Sequence, residues 1–516
     1  MKLLQIFSIG ICVFHLTMLP TSLAQNPIPS SEIVPTFKGE PSPYSKITQH
    51  QIKIGRDKVS YDAIAGETYL KDTAGNTTGS IFSFSYIRTD KVTANRPVLF
   101  VFNGGPGSAS LWMHMGALGP KQLKLDKDVN PTNVPPFEII DNKNSPLDYA
   151  DLVFIDPIGT GFSRPLNGTD PKIFWGVDED ADSIAQFIEL WLTQNKRWNS
   201  PKYVLGESYG STRAAILPRA LLGSPFPPGV MRGITLDGII LLGTTLDKHS
   251  ATAPPKAQNE ILKAHALRLP GIAVTAAFHG LTQPEEEIES FYNQTLEFSK
   301  TTYFEALLKA DNGTLSINEK ELILQKLKEL TGLTEEQIGD DLVVTEGEFS
   351  NTALQNKGLQ VGLYDSRYTL PLVNSGHDPV ADDAAMTQYV PGFVAGFHML
   401  LSEHLGVEIA RPYTAIRWKD LLPYWNFERG FTPVPAKNSA QELAWSLRRN
   451  KDLRVFVASG YYDLVTTPAA AYDQIQSGGV PLDRVTFKEY PSGHMLYLGG
   501  TSEAFSKDLK NFILQK

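Results

Sequence analysis

Hydrophobic positions change their spacing several times along the chain. Between Ile47 and Ile87 they alternate with polar ones, as in Ser80-Ile81-Phe82-Ser83-Phe84-Ser85-Tyr86-Ile87, and Ala74-Gly75-Asn76 marks a turn. A period of two predicts antiparallel strands there. From residue 97 onward the apolar positions gather into short unbroken runs at 97–102, 152–155, 203–205, 239–242, 455–458 and 485–487. Such runs, several of them β-branched, suit strands buried on both faces of a mostly parallel sheet. Helical spacing fills the gaps. Residues 178–192 open with Asp178, Glu179, Asp180 and Asp182 and continue with Ile184, Phe187, Ile188 and Trp191 on one face, an acidic start that suits the positive helix N-terminus. Residues 501–516 place Phe505, Leu509, Phe512 and Ile513 on one face and predict a final helix against the sheet.

Alternating strands and helices of this kind predict an α/β fold. Residues 247–437 break the alternation, with helical patterns at 256–268, 285–299, 318–330 and 386–405. Because strands resume at Arg454, this stretch reads as a mainly helical cap inserted between two strands of one sheet. Thr334 to Gln337 and Ser439 to Glu442 both fit a capping box. The expected organisation is a signal peptide over 1–24, a flexible Pro- and Ser-rich leader over 25–46, core over 47–246, cap over 247–437 and core again over 438–516.

Composition narrows the classes. A length of 516 residues, 42% of them hydrophobic, supports one large core with an insertion. The net charge of −9 and the lack of a basic cluster leave nucleic-acid binding without an electrostatic footprint. Lys2, a largely apolar stretch over 3–19 and Ser22-Leu23-Ala24 predict a secretory signal and hence a periplasmic or extracellular protein. No later run approaches ~20 continuous apolar residues, so no membrane span is expected. The only cysteine, Cys12, lies within that signal. Thiol catalysis and cysteine–zinc sites are therefore excluded from the mature chain, and no paired-histidine motif suggests another metal.

Gly206-Glu207-Ser208-Tyr209-Gly210 stands between the apolar run ending at Leu205 and the helical pattern beginning at Thr212. A serine flanked by glycines at a strand-to-helix junction is the nucleophile elbow of a hydrolase. Acyl transfer by that serine needs a base, and a carboxylate to orient the base. In this fold the order is Ser, acid, His, with acid and His beyond late strands. Asp463 follows the run 455–458 and His494 follows the run 485–487. Directly after the first buried run comes Asn103-Gly104-Gly105-Pro106-Gly107-Ser108. An oxyanion hole draws one N–H from this loop and one from the residue after the nucleophile, Tyr209. The loop lacks a Gly-Lys-Ser/Thr ending or a GxGxxG pattern, so no nucleotide cofactor is expected. A second glycine-rich loop, Asp156 to Ser163, reads as structural support beside the cleft.

Asn-Gly-Gly-Pro-Gly, Gly-Thr-Gly-Phe-Ser, Gly-Glu-Ser-Tyr-Gly and the late Gly-His-Met together resemble the serine carboxypeptidases related to carboxypeptidase Y, in a cysteine-free, bacterial-type exported form. The resemblance implies an α/β-hydrolase fold with a helical insertion. It assigns Ser208 as nucleophile, His494 as base, Asp463 as orienting acid, and Gly105 and Tyr209 as the oxyanion hole. It also implies that Asn103 and Glu207 bind the substrate's C-terminal carboxylate, with one of the two carboxyls protonated. Three positions depart from the family pattern. Ala117 replaces a second Glu that bonds the first, Val101 stands where a Trp is usual, and Ser108 replaces a cysteine. Losing the second Glu removes one source of a raised Glu207 pKa, which predicts a less acidic optimum or a weaker demand for a free C-terminus. The expected function is an exported serine-type carboxypeptidase acting on peptide C-termini without a cofactor. An esterase or acyltransferase on the same scaffold and an inactive peptide-binding protein are the alternatives.

Overall fold

The computed structural model describes residues 42–91, 95–125, 133–224, 229–246, 257–372, 378, 380–429 and 436–515. The expected signal and most of the expected leader lie outside them. Three antiparallel strands come first: β1 (Ser45–Ile54), β2 (Asp57–Lys71) and β3 (Thr77–Arg88). Strand β1 starts two residues inside the stretch read as leader, because Ser45 and Lys46 pair with Gly66 and Ala65 of β2. The six unbroken apolar runs become β4 (Val98–Phe102), β5 (Asp151–Asp156), β6 (Lys202–Glu207), β7 (Gly238–Leu242), β8 (Arg454–Gly460) and β9 (Val485–Tyr490).

These strands share one sheet in the order β1-β2-β3-β5-β4-β6-β7-β8-β9. The pairings from β5 through β9 are all parallel. This is the α/β-hydrolase fold. Alternate residues feed two cores: Leu99, Val101, Leu152 and Phe154 face one side, and Val98, Phe100, Val153 and Ile155 the other. Each fully buried side chain of this size contributes about 1.5–3 kcal/mol. Helices α1 (Val177–Gln194) and α2 (Tyr209–Leu222) cover the second face through Ile184, Phe187, Ile188, Ala215 and Leu217. The final helix, Ser502–Leu514, covers the first face with Phe505, Leu509, Phe512 and Ile513.

The segment between β7 and β8 divides by what it packs against. Helices at Gln258–Ala266, Leu269–Phe278, Phe304–Asp311 and Ile317–Thr331 form a separate cluster around Ile272, Leu307 and Leu327. The stretch Gln258–Phe278 is long and apolar enough to cross a membrane by length and composition, unlike the sequence-based expectation, but 61% of its most apolar window is buried inside the protein. The helix Ala384–Met399 packs instead on the main sheet, its Phe393 and Phe397 joining the core with Phe84 and Phe154. The capping box at Thr334 is formed with Gln337. The one expected at Ser439 is not: Asn438 is the N-cap and accepts from the Gln441 N–H, placing Ser439 inside the helix.

Residues 411–426 form a strap across the carboxyl ends of the strands. Their backbone bridges Ser108, Gly161 and Gly176 through Ile416, Thr414 and Asn426. Arg417 N–H donates to Gly107 O at 2.7 Å, and Ala109 N–H donates to Ala415 O at 2.9 Å. The loop from Asp156 to Ser163 is the support beneath it. The Asp156 carboxylate accepts from Ser110 N–H, the Ser110 hydroxyl and the Tyr413 hydroxyl, and Ser163 Oγ donates to Asp156 O at 2.6 Å.

Candidate active site

Ser208 sits where β6 hands over to α2, with φ 59° and ψ −128°. A non-glycine residue in that region costs about 1–3 kcal/mol, held by its surroundings. The flanking glycines are what allow it. A Cβ on Gly206 would lie 2.0 Å from Gly210 O, and one on Gly210 would lie 2.9 Å from Phe102 O. Ser208 N–H donates to Leu242 O at 2.9 Å, fixing the elbow to the neighbouring strand.

His494 and Asp463 come from the loops after β9 and β8. His494 Nδ1 lies 2.8 Å from Asp463 Oδ2. The Asp463 carboxylate is fully enclosed, and its remaining acceptor sites are filled by Val465 N–H and Thr466 N–H, both at 2.8 Å, and by the Thr466 hydroxyl at 2.5 Å. Burial pulls the His494 pKa down, but the charge and hydrogen bond of Asp463 outweigh it, so the imidazole titrates above its ordinary value. Glu207 adds to that rise.

Ser208, His494, Gly105, Tyr209, Asn103 and Glu207 line one cavity of about 390 Å³. Asp463 stands behind His494. The chain thus brings every sequence-selected residue to one place. Gly105 has φ +104°, and a Cβ on its neighbour Gly104 would lie 2.5 Å from Tyr209 N. The loop after β4 therefore lies directly against the elbow. Asn103 Nδ2 donates to Glu207 Oε1 at 2.8 Å. Burial raises the Glu207 pKa to about 7, against the opposing effects of His494, Tyr497 and Asn103. Enclosure, with a smaller contribution from the Asp463 charge, raises this carboxyl although Ala117 stands where a second glutamate is usual.

Several supporting residues escaped the sequence reading. Thr466 lies three positions beyond Asp463, a hydroxyl spacing that often closes a local side-chain turn. Tyr364 accepts from His494 N–H at 2.6 Å and sets its ring edge-on to the imidazole at 5.2 Å between centroids. Arg213 lies beneath the elbow, its Nε 2.5 Å from Asp180 Oδ2 and its Nη1 donating to Asn103 O at 2.6 Å. Trp425 from the strap donates to the Tyr209 hydroxyl at 3.1 Å. No motif announces these last contacts, because each joins segments far apart in the chain. Among the described residues, no group of three or more His, Cys, Asp or Glu side chains could hold a metal ion.

Residues 66–249 match the serine carboxypeptidase family. The matched stretch carries Asn103, Gly105, Glu207, Ser208 and Tyr209 but ends before Asp463 and His494. Serine carboxypeptidase-like 36 from Arabidopsis thaliana is 24% identical over 234 residues, covering 42% of this chain and 46% of that protein. The pheromone-processing carboxypeptidase KEX1 of Yarrowia lipolytica is 30% identical over 159 residues, covering 30% of this chain and 23% of that protein. The chain therefore matches less than half the length of these relatives. Among solved structures, the peroxisomal α/β-hydrolase Lpx1 of Saccharomyces cerevisiae aligns over 92% of this chain and 90% of its own, at 12% identity and a TM-score of 0.33. That likeness is too loose to add to the strand order.

Proposed function

We propose that this chain is an exported serine-type carboxypeptidase that removes residues from peptide C-termini through an acyl-enzyme on Ser208. The reading rests on one observation above all: the Ser208 elbow and His494, backed by Asp463, open on the same cavity as the buried Asn103–Glu207 pair. His494, neutral at Nε2, accepts the Ser208 proton as Oγ attacks the last peptide carbonyl. The oxyanion is received by the N–H groups of Gly105 and Tyr209, donors whose individual loss typically costs about 10²–10³-fold in rate. Collapse breaks the C–N bond, and His494 returns the proton to the departing amine. Water then attacks the acyl-enzyme by the same route, releasing the shortened peptide and free Ser208.

The leaving residue carries a carboxylate, and on this reading Asn103 with Glu207 receives it. Two carboxylates cannot share that space as anions. With a pKa near 7, Glu207 is neutral below that value and donates rather than repels. Fluorophosphonate labelling of wild type and Ser208→Ala, together with one peptide series ending in acid, amide and ester, tests the proposal. The expected result is labelling that depends on Ser208 and a preference for the free acid. Loss of Ser208 dependence overturns the enzymatic reading; turnover of esters without peptide cleavage moves it to an esterase or acyltransferase.

A further inference from the structure

Glu207 is 4% exposed and Tyr497 is 2% exposed, and each holds a buried polar atom without a hydrogen bond of good geometry: Glu207 Oε2 and the Tyr497 hydroxyl. The two groups face each other. Tyr497 lies three residues beyond His494, behind Glu207 and outside the cavity lining. Its ring occupies a niche made by Gly116, where a Cβ would lie 2.5 Å from Tyr497 Cε2. The neighbouring Ala117 offers no polar group. The other groups acting on the Glu207 carboxyl are Asn103, which donates to Oε1, and the charges of His494 and Asp463. Two polar atoms enclosed side by side are costly unless they complete each other or a ligand.

We propose that Tyr497 is a positioning residue for Glu207: its hydroxyl orients the Oε2 side of the carboxyl and follows that group through its titration, so that Glu207 can receive a peptide's terminal carboxylate. This rests on the carboxylate-recognition reading given above. A tyrosine suits the task because it stays neutral, burial holding its own titration well above the ordinary range. It accepts a hydrogen bond from the protonated carboxyl and donates one to the carboxylate. A second acidic residue in its place would add charge.

Donation to the carboxylate favours the ionised form, so removing the hydroxyl moves the Glu207 titration upward. The quantity to measure is the ratio of kcat/KM for a free-acid peptide to that for its amide, across pH. The ratio cancels the His494 limb that both substrates share. In wild type it falls as Glu207 ionises. Tyr497→Phe keeps the ring in its niche and is expected to move this limb up by about one pH unit, a tenfold change in proton affinity. Difluorotyrosine at position 497, a stronger donor of nearly the same shape, is expected to move it down, and supplies the answer if Tyr497→Phe does not fold. Glu207→Gln is expected to abolish the limb. If Glu207→Gln abolishes it while both changes at 497 leave it in place, the Tyr497 proposal is overturned and carboxylate recognition stands. If Glu207→Gln keeps the wild-type limb, carboxylate recognition itself fails, and the role of Tyr497 with it.

Discussion

Arg213→Met tests how the ground beneath the elbow is held. Arg213 is 1% exposed and Asp180 is 2% exposed, so the substitution leaves a carboxylate enclosed without its cation. Breaking a buried pair in this way costs about 3–5 kcal/mol. Stacking against Phe102 and Tyr209, whose ring centroids lie 5.2 and 5.5 Å from the guanidinium, is lost as well, at roughly 0.5–2 kcal/mol. Burying a methionine side chain returns about 1.5–3 kcal/mol. The net expectation for the single variant is a loss of about 3 kcal/mol. Arg213→Met with Asp180→Leu removes both charges and should recover most of it, since apolar replacement of a whole buried pair is often neutral or better. Urea unfolding measures both. Burial already raises the Asp180 pKa, and Arg213 is the group that restrains the rise. Without Arg213 the folded protein binds this proton more tightly than the unfolded chain does. The deficit of the single variant should therefore be smallest below the ordinary carboxyl range and grow as pH rises through the elevated folded value. Labelling of Ser208 should fall in both variants, because each strips Asn103 O of its 2.6 Å donor. A single-variant cost below about 1 kcal/mol, or a double variant no more stable than the single, refutes the reasoning.

Thr466→Val removes the 2.5 Å donor to Asp463 while keeping its shape. A lost hydrogen bond of about 1.4 kcal/mol corresponds to a roughly tenfold fall in ester kcat/KM, far short of the ~10⁴-fold expected for Asp463→Asn. Gly206→Ala puts a Cβ 2.0 Å from the Gly210 carbonyl and should abolish Ser208 labelling by opening the elbow. Because His494 titrates above 6.5, ester hydrolysis should rise to half its maximum at a pH above that value. In Asp463→Asn the half-point should fall, since burial remains and the opposing charge is gone; a pH–rate profile that stays in place contradicts this account.

The parallel strands were legible because enclosure on two faces leaves no polar position to interrupt them. Ser208, Asp463 and His494 were legible because the fold constrains their chain order and their places beyond strand ends. The helix Ala384–Met399 was recognised as a helix but assigned to the cap. Its apolar residues do not tell which surface they meet, and Phe397 meets the main core through Phe84, His114 and Tyr413. Arg213, Tyr364 and Tyr497 carried no local signature, since their contacts join segments that only the closed fold brings together. Val101, noted as a departure, is an ordinary strand residue with its side chain in the core.

The strap over residues 411–426 bears on the life of the chain before it is finished. The oxyanion loop emerges from synthesis long before the backbone that braces it at Gly107 and Ala109, and Ser208 emerges long before Asp463 and His494. A growing polypeptide thus carries an idle serine for most of its synthesis. Closing loops of this span is slow compared with forming local helices. On the proposed reading, the full arrangement of Ser208, His494 and Asp463 exists only once the loops after β8 and β9 have docked on the sheet.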